Sequence, residues 1–488
     1  MSRFCRIIFQ SLNAALVLLV CSAFTDAADY VVVVSKATHG DNDWSKVVDV
    51  LVDKHHAEVV IYEQQVIEAL PALQKTFPRY VCFVATSAEA TRQMVADVHQ
   101  LTRKLDDDPF PDALWGILTG YDAANALTIA KQREPLLIKR VASGTELAMD
   151  RVSEGVWYCE LVQNRMVRKT SGGEAKQENG PDDTAKALAD LLTEYKAELF
   201  VTSGHATERD WQIGFRYRNG SFRSKGGELF GVDTTGQKFS IHSDNPKVYL
   251  PIGNCLMGHI DGPDAMALAF MKSAGVHQMI GYTVLTWYGY SGWGCLDYFV
   301  EQPGRYTFAE AFLANQIALI DRLEANFPEI AKLDTPPGTT LRMKINLSEA
   351  AKKRGLSPQD GMGLLHDRDV LAFYGDPAWS AKMANGQLSY AQTLTEVSPG
   401  MFTLEIKPLL GEKSFGPVNL NGSQRGGRPF LQFLNQRVKD VEVISGQELM
   451  PLITDNFVLI PNPGICDTKR SYRVEFKATA VGLPDSLR

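Results

Sequence analysis

The chain has 488 residues, which suggests about three domains at a typical ~150 residues each. With 45% hydrophobic residues, 22% charged residues, 39 Gly and 23 Pro, the composition excludes collagen, coiled-coil and largely disordered proteins. A formal net charge of -7 argues against nucleic acid as a main partner, because a phosphate backbone attracts a basic surface. The seven cysteines are too few to form a disulfide framework in a chain of this length.

The amino terminus has the layout of a secretory signal peptide. Arg3 and Arg6 precede an apolar run over residues 12–24, and small residues follow it as far as Ala28. The run is shorter than the ~20 residues that a membrane-spanning helix needs, so removal is favoured over retention as an anchor. We predict a signal peptide over residues 1–27, and export to the periplasm, the cell surface or the medium, with no transmembrane segment in the mature chain.

Removal of that segment leaves an odd number of cysteines. Cys5 and Cys21 would be lost with it, and an odd number in an exported protein leaves at least one thiol unpaired within the chain. Four of the remaining thiols could form two disulfides in three ways, or could all stay reduced. The five that remain are Cys82, Cys159, Cys255, Cys295 and Cys466.

The first part of the mature sequence alternates short apolar strands with amphipathic helices. This alternation is typical of βαβ units, so residues 28–145 are predicted to form a doubly wound, mostly parallel α/β subdomain. The predicted strands cover residues 30–35, 58–62, 80–85 and 114–119, and the predicted helices cover residues 44–54, 66–76, 88–105 and 123–131.

A second α/β unit is predicted over residues 146–390. An extended segment at residues 156–167 leads into a polar stretch over residues 168–183, which is predicted to be an exposed loop. Arg168 and Lys169 in that stretch are a possible point of activating cleavage. The strands that follow are predicted at residues 199–202, 247–252, 278–282 and 369–374, and the helices at residues 184–196, 264–274 and 308–326.

Helical periodicity stops near residue 398. The apolar runs beyond it are short, β-branched or aromatic, and are separated by Gly, Pro and Asn. This pattern predicts a β-sandwich domain over residues 395–488.

Two strand ends in the second unit carry reactive side chains. His205 follows the strand at residues 199–202, and Cys255 follows the strand at residues 247–252. Because ligands gather at the carboxyl ends of parallel strands, both side chains are expected at one edge of the sheet. A thiol with a nearby imidazole can attack a carbonyl carbon and protonate the leaving amine.

The competing interpretation of this pair is a buried thiol and a structural histidine, since free Cys is among the most buried residue types. Three glycines favour a reactive site, because a residue without a side chain lets a substrate backbone approach closely. They are Gly204, Gly253 and Gly258.

The same residues resemble a known family, the gingipain-type cysteine peptidases of the caspase-like clan. SGHATERDWQIG at residues 203–214 is similar to their histidine segment, with Gly204, His205 and Trp211 in matching places. GNCLMGHIDGPDAMALAFM at residues 253–271 resembles their nucleophile segment. GYTV at 281–284 and FYGDPA at 373–378 also resemble the family, so the similarity covers roughly residues 110–385.

The resemblance implies a fold and an activity. The fold would be a caspase-like three-layer α/β sandwich with a preceding doubly wound α/β subdomain and a following immunoglobulin-like β-sandwich. The activity would be that of a secreted cysteine endopeptidase that cleaves protein or peptide substrates through an acyl-enzyme. Cys255 would be the nucleophile and His205 the acid/base, with the backbone amides of Cys255 and Ala206 as the oxyanion hole. No cofactor is required for this chemistry, although structural calcium is compatible with it.

The sequence departs from the family pattern in several places. Ala206 stands where the family usually has Gly, and Gly120-Tyr121 replaces the usual Gly-Arg. No carboxylate that would orient His205 can be matched, and neither can the acid that selects basic side chains. Arginine or lysine specificity is therefore not inferred.

An aromatic, glycine-rich segment over residues 285–295 is expected beside the substrate. It supplies three aromatic side chains of a predicted pocket wall, Trp287, Tyr288 and Trp293, and the histidine segment supplies Trp211. The alternative interpretation is a packed surface loop without a role in binding.

Three further hypotheses remain for comparison. His259, Asp261 and Asp264 have no zinc-like spacing, and the aspartates are explained as caps of the following helix, so no metal site is predicted. A serine-hydrolase elbow at residues 289–293 fails because Trp293 occupies the place of its second glycine. The alternative function is a non-catalytic caspase-fold module that binds protein or glycan partners at the cell surface.

Overall fold

The computed structural model describes residues 29–339, 344–422 and 424–481. The predicted signal peptide over residues 1–27 lies outside the described residues. Within the described part, no helix combines the length and the apolar character needed to cross a bilayer.

The amino-terminal strands and helices lie close to the predicted segments. All six residues of the first strand are buried, as expected for a parallel strand covered by helices on both faces. The strands are β1 (Tyr30–Ser35), β2 (Glu58–Tyr62), β3 (Tyr80–Val84) and β4 (Leu114–Leu118), and the helices are α1 (Lys36–Gly40), α2 (Trp44–His55), α3 (Leu70–Thr76), α4 (Arg92–Thr102) and α5 (Ala123–Lys131).

The second unit begins before the predicted residue 146, because strands at residues 136–138 and 140–143 pair with its later strands, and it contains more strands than predicted. Its strands are β5 (Leu136–Ile138), β6 (Arg140–Ser143), β7 (Glu154–Tyr158), β8 (Arg165–Lys169), β9 (Lys176–Asn179), β10 (Leu199–Thr202), β11 (Asp210–Gln212), β12 (Ser221–Lys225), β13 (Glu228–Val232), β14 (Lys238–Ile241), β15 (Lys247–Pro251), β16 (Val276–Tyr282), β17 (Leu371–Tyr374) and β18 (Ala381–Met383). Its helices are α6 (Ala185–Thr193), α7 (Met266–Ser273), α8 (Tyr290–Phe299), α9 (Phe308–Asn326), α10 (Pro328–Ala331), α11 (Glu349–Lys353) and α12 (Pro358–Asp367).

One twelve-stranded sheet runs through both units, in the order β2-β1-β3-β4-β17-β16-β15-β10-β6-β7-β8-β9. Its pairings are parallel except at β16–β17, β7–β8 and β8–β9. Strand β17 joins the two halves, since it pairs with β4 on one side and β16 on the other. The prediction of an α/β fold with a large, mostly parallel sheet is confirmed, while the finer caspase-like description stays a prediction.

The stretch predicted as an exposed loop is mostly a β-hairpin. Strand β9 pairs with β8 across residues 165–168 and 176–179, and every residue of β9 is exposed. An exposed strand has no alternation of apolar and polar residues, so its sequence pattern predicts a loop. Arg168 is held in this pairing, and the ammonium of Lys169 donates to the carbonyl oxygens of Met149 and Val152. Activating cleavage at these two residues stays a hypothesis, and it would act on paired strands and not on an open loop.

The carboxy-terminal unit is a sandwich of two antiparallel sheets around its own core. One sheet has the order β19-β20-β25-β22 and the other β21-β24-β23. The predicted boundary at residue 395 is wrong, because it falls inside a paired strand that begins at Tyr390. The strands are β19 (Tyr390–Ser398), β20 (Met401–Pro408), β21 (Phe430–Phe433), β22 (Val438–Ser445), β23 (Leu452–Ile453), β24 (Phe457–Ile460) and β25 (Arg473–Ala480).

The two cores meet at the second sheet of the sandwich. Leu431, Phe457 and Leu459 on β21 and β24 pack into the core of the α/β body, while Phe430, Val458 and Ile460 point into the sandwich core. This alternation follows from the period of two in a β-strand. The sandwich is therefore packed directly on the α/β body.

The described cysteines are all reduced. Cys255 is half-buried, and the other four are buried. Of the two possibilities left by the sequence, the structure has the free thiols and not the disulfides.

Candidate functional site

The strands that precede His205 and Cys255 are neighbours in the central sheet. Strand β10 pairs in parallel with β15, with Thr202 opposite Pro251. The two loops therefore leave the sheet at the same edge, side by side. Both strands are fully buried, which makes their ends rigid supports for the loops.

Asn254 ties the two loops together. Its side chain is fully buried, and its Oδ1 accepts a hydrogen bond of 2.7 Å from the hydroxyl of Thr202. Its Nδ2 donates to the carbonyl oxygen of Gly204 at 3.1 Å. The side chain of Asn254 thus links the loop that carries Cys255 to the loop that carries His205.

The histidine loop has a conformation that its glycine permits. Gly204 has φ +97°, a left-handed conformation that residues with a Cβ rarely adopt. Beyond the loop, the carbonyl oxygen of His205 accepts a 2.9 Å hydrogen bond from the amide of Gln212. The turn thereby presents the side chain of His205 outward.

Trp211 anchors this loop from below and is not part of a pocket wall. It is fully buried, with ring centroids 5.9 Å from Phe200 and 5.4 Å from Phe222. Its indole N–H donates to the carbonyl oxygen of Ser203 at 2.8 Å. The prediction that Trp211 lines the pocket is wrong, because β11 pairs with β12 and turns this side chain into the core.

The imidazole of His205 is exposed and faces a cavity. Its ring lies 4.7 Å from that of Phe215, tilted by 31°. None of the described residues forms a hydrogen bond with the imidazole. The ring is positioned by its loop and by Phe215.

Cys255 lies at a sharp turn directly after its strand. Leu256, the next residue, has φ +57°, and this left-handed conformation costs a residue other than glycine of order 1–3 kcal/mol. The turn is held by hydrogen bonds from the amides of Leu256 to Val284 and of Gly258 to Tyr282. The sulfur accepts a hydrogen bond of 3.2 Å from the amide of Thr286, which fixes it at the cavity wall.

Two backbone amides at the site have no acceptor in the described part of the chain. Among the described residues, neither the N–H of Cys255 nor that of Ala206 donates a hydrogen bond. The bridge between Ala206 and Trp211 is made by the neighbouring residues, through Thr207 to Asp210 and Gln212 to His205. Both amides are therefore available to an acceptor from outside the protein.

His205 and Cys255 open into the same cavity, of about 440 Å³, which falls in the size range of ligand-binding clefts. The sandwich contributes Asn421 and Gly422 to its wall, and Asn421 donates to the hydroxyl of Thr145 at 3.3 Å. The aromatic lining consists of Phe215, Trp287, Tyr288 and Trp293.

The aromatic segment of this wall is partly helical. Residues 290–299 form α8, in which every residue is buried, so the alternative interpretation of a packed surface loop does not hold for this part of the segment. Gly292 is required there because a Cβ would collide with the carbonyl oxygen of Ile252. Trp293 is 4% exposed, whereas Trp287, before the helix, is 44% exposed and free to contact a ligand.

Glu160 is a cavity residue that the sequence does not single out. It is 6% exposed, and its Oε1 accepts a hydrogen bond of 2.9 Å from the hydroxyl of Thr145. Burial raises the pKa of Glu160 to about 7, against the opposing effect of the hydroxyls of Thr145 and Ser203. Nothing near this position in the sequence signals a site, since Glu160 simply follows a buried strand.

We expect Glu160 to make stability fall with rising pH. The folded protein binds this proton more tightly than the unfolded chain, so the free energy of unfolding decreases from about pH 4.5 to about pH 7. Glu160→Gln mimics the protonated form and should remove that decrease, which amounts to roughly 3 kcal/mol. Urea unfolding at pH 5 and pH 8 measures it. The control is Glu58→Gln, because Glu58 is exposed. An equal decrease in the free energy of unfolding between pH 5 and pH 8 in the wild type and in Glu160→Gln would contradict the expectation.

The residues considered for metal binding do not converge. Asp261 forms a two-pronged ion pair with Arg209, at 2.5 and 2.9 Å. Asp264 accepts a hydrogen bond from the amide of Gly226, and the helix begins two residues later, at Met266, so the expected capping role is wrong. Ser291 of the discarded serine-hydrolase motif is fully buried and donates to the carbonyl oxygen of Asp367.

The chain is similar to two solved structures of one protein. The crystal structure of the Arg-specific cysteine proteinase gingipain R covers 94% of this chain and 98% of its own, with a TM-score of 0.43 and 11% sequence identity. The complex of the Porphyromonas gingivalis RgpB pro- and mature domains covers 93% of this chain and 100% of its own, with a TM-score of 0.41 and 12% identity. No family model matches the chain, and neither does any curated protein.

Proposed function

We propose that the chain is a cysteine endopeptidase in which Cys255 is the nucleophile and His205 the general acid/base. The observation that carries the proposal is the placement of a half-buried thiol and an exposed imidazole on adjacent loops that share one cavity. The buried Asn254 fixes the spacing of the loops through its bonds to Thr202 and Gly204. Such preorganisation is a main source of catalytic power in hydrolases.

In the first half of the reaction, the thiol proton of Cys255 passes to His205 as the sulfur forms a bond to the carbonyl carbon of the scissile peptide. The carbonyl oxygen becomes an oxyanion, and the free amides of Cys255 and Ala206 would donate to it. Each lost donor of this kind typically costs about 2.7–4 kcal/mol of transition-state stabilisation. His205 then gives its proton to the leaving amine as the C–N bond breaks, which leaves a thioester.

In the second half, His205 accepts a proton from water as the water oxygen attacks the thioester carbon. The C–S bond breaks, the new carboxylic acid leaves, and the proton that His205 took from water returns to the sulfur, which regenerates the thiol of Cys255. An exposed imidazole suits both proton transfers, because it can reach the leaving amine and the attacking water.

The substrate is proposed to be an extended polypeptide that lies along the cavity between the α/β body and the sandwich. Trp287 supplies an exposed ring on one side, and Asn421 and Gly422 bound the other. Such a substrate is consistent with an enzyme exported through its amino-terminal segment.

A library of irreversible acyloxymethyl-ketone probes, varied at the P1 side chain, tests the proposal. Some probes are expected to label the wild-type protein covalently, and Cys255→Ala should abolish the labelling. Cys159→Ala removes a buried thiol elsewhere and should leave the labelling intact. The probes that react also report the P1 preference.

The opposite result is equally clear. If no probe labels protein that circular dichroism shows to be folded, with or without added calcium, the peptidase proposal fails. The non-catalytic binding module would then be favoured.

A further inference from the structure

The sandwich reaches the cavity through residues 419–422, in the connection between β20 and β21. Asn421 and Gly422 line the cavity. Gly422 has φ +96°, and a Cβ at this position would lie 2.3 Å from the ring of Trp293. A residue with a side chain would displace that ring, so glycine is what lets the sandwich come this close to the cavity.

A buried group of charges fastens the chain just beyond these residues to helix α8. The carboxylate of Asp297 accepts hydrogen bonds of 2.9 Å from Arg425 and from Arg428, and one of 3.0 Å from the amide of Gly426. Glu301, just after the helix, forms a second ion pair with Arg425. These four charged side chains are at most 7% exposed. Removing one partner would leave an uncompensated buried charge, so the four groups hold one another in place.

Arg425 connects this group of charges to the cavity. Its guanidinium lies 5.1 Å from the centre of the Trp293 ring, and it donates a hydrogen bond of 3.3 Å to the carbonyl oxygen of Asn421. The amide of Asn421 donates in turn to Oδ1 of Asn419 at 2.8 Å. The main chain of Asn421 is therefore held at both its N–H and its C=O.

The side chain of Asn421 keeps hydrogen-bonding capacity that the fold does not use. Its Nδ2 donates a long bond, of 3.3 Å, to the hydroxyl of Thr145, and its Oδ1 accepts no hydrogen bond from the described residues. A carboxamide has two N–H donors and one carbonyl acceptor, so one N–H and the oxygen are left over. The N–H and C=O groups of a peptide need such partners when they leave water.

We propose that Asn421 binds the main chain of the peptide substrate, and that Arg425 is the residue that positions it. This inference rests on the proposed peptidase function, because it assigns a role in the same cavity. A carboxamide can accept from a backbone N–H and donate to a backbone C=O, which suits an extended peptide of any sequence. The side chain of Arg425 is 3% exposed, so it acts through Asn421 and not on the substrate. The sandwich is thereby a part of the substrate site.

Steady-state kinetics with a fluorogenic peptide that the wild type cleaves tests the role of Asn421. Asn421→Ala is expected to raise KM about threefold to tenfold, which corresponds to one lost hydrogen bond, and to leave kcat within about twofold. Asn435→Ala is the matched control, because it removes an exposed asparagine elsewhere in the sandwich. Its KM and kcat should equal those of the wild type.

A double-variant cycle tests whether Arg425 acts through Asn421. Arg425→Lys keeps a positive charge beside Asp297 but loses the planar fork that also reaches the carbonyl of Asn421. Alone, it should raise KM about threefold, and in the Asn421→Ala background it should raise KM less than about 1.5-fold further. Circular dichroism and Tm establish that each variant is folded. Should Arg425→Lys not fold, the result for Asn421→Ala decides the proposal.

The outcomes that would overturn this assignment differ from those that would overturn the peptidase function. A KM of Asn421→Ala equal to that of the wild type removes Asn421 from the substrate site and leaves the peptidase function standing. Effects of the two substitutions that multiply in full remove Arg425 as its positioning residue. If the wild type neither reacts with the acyloxymethyl-ketone probes nor cleaves a peptide, the peptidase function fails, and the assignment of Asn421 fails with it.

Discussion

Replacing His205 with alanine is expected to lower kcat/KM for a peptide substrate by about 10²–10⁴-fold. In the proposed mechanism the imidazole is the group that protonates the leaving amine, and no described residue forms a hydrogen bond with it. The fold should be unaffected, because the side chain is exposed and its main contact is the ring of Phe215.

The measurement is initial rate against substrate concentration, with a fluorogenic peptide chosen from the P1 preference. His242→Ala removes an exposed histidine elsewhere and should retain full activity. An activity of His205→Ala within threefold of the wild type, at equal Tm, would remove His205 from the mechanism.

Trp211→Ala is expected to give the largest loss of stability, about 3–5 kcal/mol in the free energy of unfolding. The ring is fully buried between Phe200 and Phe222, and its N–H holds the carbonyl of Ser203. Deleting it leaves a cavity beneath the histidine loop and frees the support of Ser203. Activity should therefore fall together with stability.

Urea unfolding followed by circular dichroism measures this effect. Trp287→Ala is the matched control, because that tryptophan is 44% exposed at the cavity. Its removal should cost little stability and should raise KM through lost contact with substrate. Equal losses of stability in the two variants would contradict the assignment of Trp211 to the core and of Trp287 to the cavity wall.

The elements that carry the site were predictable because their pattern is local. The strands before His205 and Cys255 are unbroken apolar runs that end at glycine-containing loops, and their ends are found within one residue of the prediction. The common edge then follows from parallel pairing, which any α/β sequence of this kind implies.

The misread features depend on contacts that are distant in sequence. Helix α8 is not predicted from the sequence because Gly292 and Gly294 disfavour a helix. Both glycines are needed in the fold, because a Cβ at either position would collide with Ile252 or Asn315. The core position of Trp211 was not predictable because it depends on pairing with β12. The largely polar sequence of β12 gives only a weak signal for a strand. Glu160 joins the cavity from 95 positions before Cys255, and no local pattern marks it.

The place of β17 in the central sheet also has a consequence for how the protein is made. The amino-terminal half of the sheet ends on β4 and the other half on β16, and residues 371–374 fill the gap between them. Until those four residues have been synthesised, β4 and β16 each have one edge without a partner strand. Unpaired strand edges promote aggregation, so the nascent chain is most prone to aggregate between the synthesis of β16 and that of β17.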